Sequence, residues 1–197
     1  MSELGLCLSK HQLKLIARLT TKFDLDVNKV TYSSGRSLIF KKHDKVYQIY
    51  LSDTLFNKVV YNLTTLLSDV VGIVKYYSIY EKLNTIVYEY VEPIYNIYDN
   101  SINTSGASGA SGASGASDSF YTDINETLTS LANNRLVHGD FCCDNIGYSH
   151  VQKRHVVYDL ETVRYTRWGD EELDKNRFEK SVKFCLLPTS QSLQVDV

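Results

Sequence analysis

The stretch Leu136-Val-His-Gly-Asp-Phe-Cys-Cys-Asp-Asn-Ile-Gly-Tyr148, followed by Val156-Val-Tyr-Asp-Leu-Glu161, organises the reading of this 197-residue chain. Two short apolar runs, residues 146–148 and 155–158, bracket the polar turn Gln152-Lys-Arg154 and predict a hairpin. Around that hairpin the spacing sets two carboxylates, Asp140 and Asp159, and one amide, Asn145, at strand ends where loops converge. Oxygen donors of this kind suit a divalent cation such as Mg²⁺, which takes one or two protein ligands and completes its shell with water and phosphate oxygens. A further acid within reach could orient a hydroxyl for attack on a phosphoryl group.

Composition narrows the classes around this stretch. Twenty-one Lys and Arg against 23 Asp and Glu give a net charge of −2, without the basic excess of a nucleic-acid partner. At 43% hydrophobic and 22% charged, the chain is apolar enough to build a core. The four cysteines, Cys7, Cys142, Cys143 and Cys185, do not form a dispersed disulfide framework, which predicts a reducing compartment. No apolar run reaches the roughly 18 residues of a membrane span, and the amino terminus lacks a signal-peptide pattern. The expectation is a cytoplasmic protein, in host cytoplasm if viral, with no membrane partner. A viral or other fast-diverging source would fit the Tyr- and Asn-rich composition.

Upstream, Leu13, Ile16, Ala17 and Leu19 behind Ser9 predict an N-capped amphipathic helix ending near Lys22. Strand-like runs follow at 29–32, 37–40 and 46–51, the last two joined across His43-Asp44-Lys45. Residues 55–67 carry helical spacing, and strands are expected at 73–80 and 85–90. Residues 104–117 repeat Ser-Gly-Ala and read as a flexible tether, first as an engineered substitute for a removed loop and alternatively as a natural low-complexity insert. The expected organisation is 1–103, an amino-terminal helix with a β-rich lobe and hinge; 104–117, the tether; and 118–197, a mainly helical part with helices at 118–134 and 171–187.

In order and spacing, His138, Asp140 and Asn145 match the catalytic-loop pattern H-x-D-x-x-x-x-N, and Asp159-Leu-Glu161 matches a D-x-E metal motif. The chain thereby resembles the protein-kinase-like superfamily. The His-Gly-Asp form is most similar to aminoglycoside and choline phosphotransferases. The resemblance implies a reduced bilobal α+β fold: a five-stranded antiparallel N-lobe sheet with one helix, a truncated helical C-lobe, and a nucleotide cleft between residues 30–92 and 136–161. It implies ATP and Mg²⁺, Asp140 as catalytic base braced by His138, and Asn145 and Asp159 as metal ligands. Gly169-Asp170 and Asp174 fall where small-molecule kinases often carry Gly-Asp and a helix-anchoring Asp. The acceptor would be a protein Ser/Thr hydroxyl or another alcohol.

The amino-terminal lobe departs from that pattern. Tyr32-Ser-Ser-Gly-Arg36 stands at the glycine-rich loop with Gly35 as its only glycine. Tyr88 takes the gatekeeper place, with Glu89 to Val91 against the adenine edge. Gln48 stands where the family has its phosphate-holding lysine, and residues 55–67 contain no acid to pair with one. Loss of both partners together is self-consistent, because one buried charge left alone costs several kcal/mol. Arg36 or Lys41 could supply the cation instead, since Ser37, Ile39 and Lys41 share a strand face. Too few residues follow Glu161 for a full helical lobe, so substrate recognition is expected to be minimal or supplied by a partner. The alternative expectation is a pseudokinase, a partner-binding scaffold without transfer. Lys41, Lys42 and Lys45 read as a solvated basic hairpin tip, and Cys142-Cys143 as buried loop thiols.

Overall fold

The computed structural model describes residues 10–26, 30, 32–33, 36–94, 113–170 and 172–185. It is an α+β structure with antiparallel sheets and four α-helices whose bounds lie among the described residues. The chain divides into two compact units, Met1–Ser68 with Val74–Tyr90, and Asp69–Ile73 with Val91–Val197. Val91 onward falls with the second unit because residues 92–93 pair with one of its strands, and Ile73 bridges Val157 there.

In unit 1, helix α1 (Lys10–Phe23) covers one face of a sheet. Its strands β1 (Tyr32–Ser33), β2 (Ser37–Lys42), β3 (Lys45–Tyr50), β4 (Tyr76–Tyr80) and β5 (Thr85–Glu89) run in the order β1-β2-β3-β5-β4. The helix buries Leu15, Ile16 and Leu19, while Leu13 and Ala17 face outward, so the expected stripe is rotated. These side chains pack on Leu38, Phe40 and Ile49, the inward face set by strand alternation. Burying each large apolar side chain contributes about 1.5–3 kcal/mol.

Register assigns the opposite sheet face to Ser37, Ile39 and Lys41 of β2, Val46, Gln48 and Tyr50 of β3, and Ile86 and Tyr88 of β5. Helix α2 (Asp53–Tyr61) begins two residues earlier than expected, because the Ser52 hydroxyl accepts the Leu55 N–H and caps it. The helix therefore does contain an acid. Asp53 sits in its first turn, where the helix dipole favours a carboxylate, and accepts a hydrogen bond from Asn84 Nδ2. A π-helical turn, Asn62–Leu66, continues α2 and buries Leu63 and Leu66.

The lysine tip is exposed at Lys41 and half-buried at Lys42 and Lys45, and each of the three has a partner. Lys42 Nζ donates to the Phe23 and Asp24 carbonyls at 2.9 Å each, capping the α1 carboxy terminus. Lys41 Nζ lies 3.3 Å from the Tyr90 ring centroid, and Lys45 Nζ lies 5.3 Å from that of Tyr77.

In unit 2, strands β6 (Glu92–Pro93), β8 (Ile146–Ser149) and β9 (Arg154–Val157) form one sheet. Strands β7 (Leu136–Val137) and β10 (Arg164–Tyr165) form another. Helix α3 (Ala113–Asn133) starts inside the Ser-Gly-Ala repeat, and the earlier repeat residues lie outside the described ones. Phe120, Ile124, Thr127 and Leu131 form its buried stripe. Gly72 passes so close that an added Cβ would lie 1.8 Å from Thr127 Oγ1. Asp123 of α3 accepts both the His155 N–H and a bond from its Nδ1, at 2.8 and 2.9 Å, fastening the helix to β9. Helix α4 (Leu173–Cys185) ends the described chain. Among the described residues no helix is long and apolar enough to cross a membrane.

Candidate active site

The 138–145 loop leaves β7 and returns into β8. At Gly139 the backbone takes φ +82°, and a Cβ would stand 3.0 Å from the Thr162 carbonyl oxygen, so only glycine fits this turn. The preceding residue, His138, is fully buried. Its Nε2 lies 3.1 Å from the Tyr158 carbonyl oxygen, which can only accept, and its Nδ1 lies 3.3 Å from the Asp140 N–H, which can only donate. The two contacts together require a neutral ring with the proton on Nε2.

Burial is the main influence on His138 and holds its pKa below the ordinary histidine value. The Asp174 carboxylate, the Tyr158 carbonyl, Asp159 and Asp140 pull it upward in that order and do not prevail. Both ring nitrogens face the protein's own backbone, so His138 is a positioning residue that aims the loop.

Asp140 projects from the loop with its side chain about half exposed. Asn145, nearly buried, donates through Nδ2 to the Asp140 carbonyl at 2.9 Å and to Asp140 Oδ2 at 3.2 Å. That use of the amide nitrogen fixes its rotamer. The amide oxygen has no hydrogen bond among the described residues and remains a potential ligand atom. Asp159 is joined to this group through its neighbour: the Tyr158 N–H donates to the Asn145 carbonyl at 2.9 Å, and the Tyr158 hydroxyl donates to the Asp144 carbonyl at 2.6 Å. Asp159 itself has φ +60° and ψ +66°, a left-handed conformation that costs an L-residue about 1–2 kcal/mol and that Asp tolerates better than most. It is exposed.

Asn145 and Asp159 are the pair that could supply oxygen ligands to a cation. Among the described residues no three His, Cys, Asp or Glu side chains are grouped to hold a metal by themselves. One amide oxygen and one carboxylate fit a hard cation that keeps most of its shell in water and phosphate oxygens, and do not fit a closed N/S site.

Helix α4 supplies the rest of the site, most of it without a sequence motif. Asp174, buried, accepts the His138 N–H at 2.6 Å and the Gly139 N–H at 2.9 Å, one on each carboxylate oxygen. Arg177 NH1 donates to Asp140 Oδ1 at 2.6 Å. Phe178 meets Phe141 at 6.0 Å between ring centroids and 90° between planes. Ser181 Oγ accepts the Cys143 N–H at 3.1 Å. Residues 174, 177, 178 and 181 lie on one helical face, and they touch loop residues 138–139, 140, 141 and 143 in the same order. Arg177 escaped the sequence reading. The signal that could have found it is its position one turn beyond Asp174.

Asp170 lies beside this helix as part of a separate clasp. The Arg164 guanidinium, foremost, and the Arg167 N–H hold its carboxyl down at about 2, and it bonds Arg164 through both oxygens.

The expected unit 1 residues are placed as follows. Gln48 Nε2 donates to Ser37 Oγ at 3.3 Å across the hairpin, and Lys41 lies over Tyr90. Arg36 is exposed and Gly35 lies outside the described residues. The Tyr88 hydroxyl is 3.2 Å from that of Tyr50. Glu89 is buried, its Oε1 accepting the Lys75 N–H at 2.7 Å and its own N–H donating to the Lys75 carbonyl. Val91, in unit 2, packs over Gly147, where an added Cβ would lie 2.5 Å from its Cγ1. Cys143 is buried and Cys142 half-buried, both as unbridged thiols.

No family model and no curated protein matches the chain. Among solved structures, the fold is similar to that of monomeric WbdD, with a TM-score of 0.51 and 12% sequence identity. The likeness covers 80% of this chain and 39% of that one, so the chain spans about two-fifths of WbdD's length. At that identity the likeness is one of fold.

Proposed function

We propose that the protein is a phosphotransferase of the protein-kinase-like superfamily that moves the γ-phosphoryl group of a Mg²⁺-bound ATP to an alcohol, a protein Ser/Thr hydroxyl first among the candidates. The observation that carries this reading is the Asp140–Asn145 pair in the His-Gly-Asp loop, with Asp159 tethered beside it through Tyr158. When bound, the cation would neutralise charge on the phosphate oxygens. Asn145 and Asp159 are the residues that would hold it. Asp140, aimed by His138 and Asn145, accepts the acceptor's proton as the acceptor oxygen bonds to phosphorus. The bond to the bridging oxygen breaks and ADP leaves with the electron pair.

The test is transfer of labelled phosphate from ATP by wild type and by Asp140→Ala. A general base contributes about 10²–10⁴-fold, so the variant should lose at least 10²-fold. Equal transfer by both proteins removes the assignment.

A second reading, a scaffold without transfer, is favoured by two observations: Gln48 is bonded to Ser37 in place of a strand lysine, and Arg177 sits on Asp140. Absence of any thermal stabilisation of wild type by millimolar ATP with Mg²⁺ would select it, since a ligand that binds only the folded state raises the melting temperature; stabilisation without turnover would leave a nucleotide-binding pseudoenzyme.

A further inference from the structure

The Arg177 guanidinium meets Asp140 through a single nitrogen. NH1 donates to Asp140 Oδ1, while Nε and NH2 have no partner among the described residues, and the side chain is about half exposed. A guanidinium anchored at one edge and open at the others is a donor fork preset for an oxyanion, because its planar N–H pairs match phosphate oxygens. Its anchor is firm, since Asp174 one turn earlier and Phe178 next to it fasten α4 to the same loop. In unit 1, by contrast, the residue expected to hold phosphates is an uncharged amide bonded to Ser37, and Lys41 is stacked on Tyr90.

Resting on the phosphotransferase reading, we propose that Arg177 is the phosphate-binding cation of this site. It keeps one N–H on Asp140 and offers the others to oxygens of the phosphoryl group in transit. The positive charge thus comes from helix α4 in place of a strand lysine. Arg177 exchanges no proton. It offsets charge on the transferring group and holds the base at a fixed place beside it.

The test uses the full chain and inorganic tripolyphosphate as probe, with binding read by calorimetry at low salt for wild type, Arg177→Ala, Arg177→Lys and Asp140→Asn. Wild type should bind, and Arg177→Ala should weaken binding at least tenfold. Arg177→Lys should fall between them, keeping the charge and losing the fork. Asp140→Asn should bind as well as wild type or better, because the guanidinium is released from its carboxylate. Thermal melts without ligand check folding. A half-exposed ion pair contributes little to stability, so Arg177→Ala should melt close to wild type, and Arg177→Lys is the comparison if it does not.

Tripolyphosphate binding by Arg177→Ala equal to that of wild type overturns the proposal, as does no binding by wild type at millimolar probe. Neither result depends on turnover. If Asp140→Ala abolishes transfer while Arg177→Ala leaves both transfer and probe binding intact, the base assignment stands and the Arg177 proposal falls. If wild type binds the probe through Arg177 and transfers nothing, the phosphotransferase reading falls while Arg177 remains an oxyanion site.

Discussion

The 138–145 loop and the β2–β3 hairpin both carry candidate chemistry, and they are held in opposite ways. The hairpin rests on apolar packing: Leu38, Phe40 and Ile49 lie under α1, and the polar residues of the other face, Ser37 and Gln48, bond mainly across the strands. The loop is held by polar bonds to buried groups. Asp174 takes two successive N–H groups, His138 faces backbone with both nitrogens, and Thr162 Oγ1 donates to the His138 carbonyl at 2.7 Å. Apolar packing fixes where a sheet lies and tolerates side-chain exchange on its far face. A buried polar network fixes the direction of each atom and tolerates almost none. Gln48, which stands where the kinase-like pattern has a lysine, lies in the first region, and the matching His138, Asp140 and Asn145 lie in the second.

The contrast breaks most directly at Asp174. Asp174→Ala removes two bonds to a buried carboxylate and strands two N–H groups, so urea unfolding should show a loss of about 3–5 kcal/mol. A loss no larger than that of an ordinary surface substitution would mean the loop is held by something else.

A smaller effect sharpens the role of His138. In the unfolded chain its pKa is near 6.5, and in the folded protein burial holds it lower. Below about pH 6.5 the unfolded state therefore binds a proton that the folded state refuses. Stability should fall as pH drops from about 6.5 toward the folded value, by up to about 1.4 kcal/mol per pH unit for this one group. Urea midpoints measured between pH 7.5 and 5 should show the slope, and His138→Gln should flatten it.

The smallest effect belongs to unit 1. Lys42→Ala deletes the cap on α1 and should cost about 0.5–1 kcal/mol in a thermal melt, leaving tripolyphosphate binding unchanged. A change in probe binding there would blur the division of labour between the two regions.

Much of the fold was legible from periodicity. The α1 helix, the β2–β3 and β8–β9 hairpins and the α3 helix stand close to where spacing put them, because each buries a stripe that its sequence displays. The errors are phase and boundary errors. Leu13 is as apolar as Leu15, and only the sheet beneath decides which one faces in. Asp53 enters α2 because Ser52 caps it, a decision made by one hydroxyl that an apolar pattern does not register. The partners of the lysine tip, the Phe23 and Asp24 carbonyls and the Tyr90 and Tyr77 rings, go unread because they are distant in sequence.

In the site, the grouping of His138, Asp140 and Asn145 is visible because eight consecutive residues carry it. Asp174 stood in the pattern of small-molecule kinases, but its job of receiving two N–H groups did not. Arg177 carries no motif. It reaches Asp140 only because α4 folds back on the loop, a tertiary event with no local signature.

The order in which α4 meets the loop gives the site a rotational phase. Each residue of an α-helix advances about 100°, so inserting or deleting a single residue between Asp174 and Arg177 would swing Arg177, Phe178 and Ser181 off their partners in one stroke while Asp174 kept its own. Length in this segment is therefore constrained more tightly than composition. Relatives that share the site can be expected to exchange outward-facing residues such as Lys175 and Glu179 freely, while keeping the count from Asp174 to Ser181 unchanged.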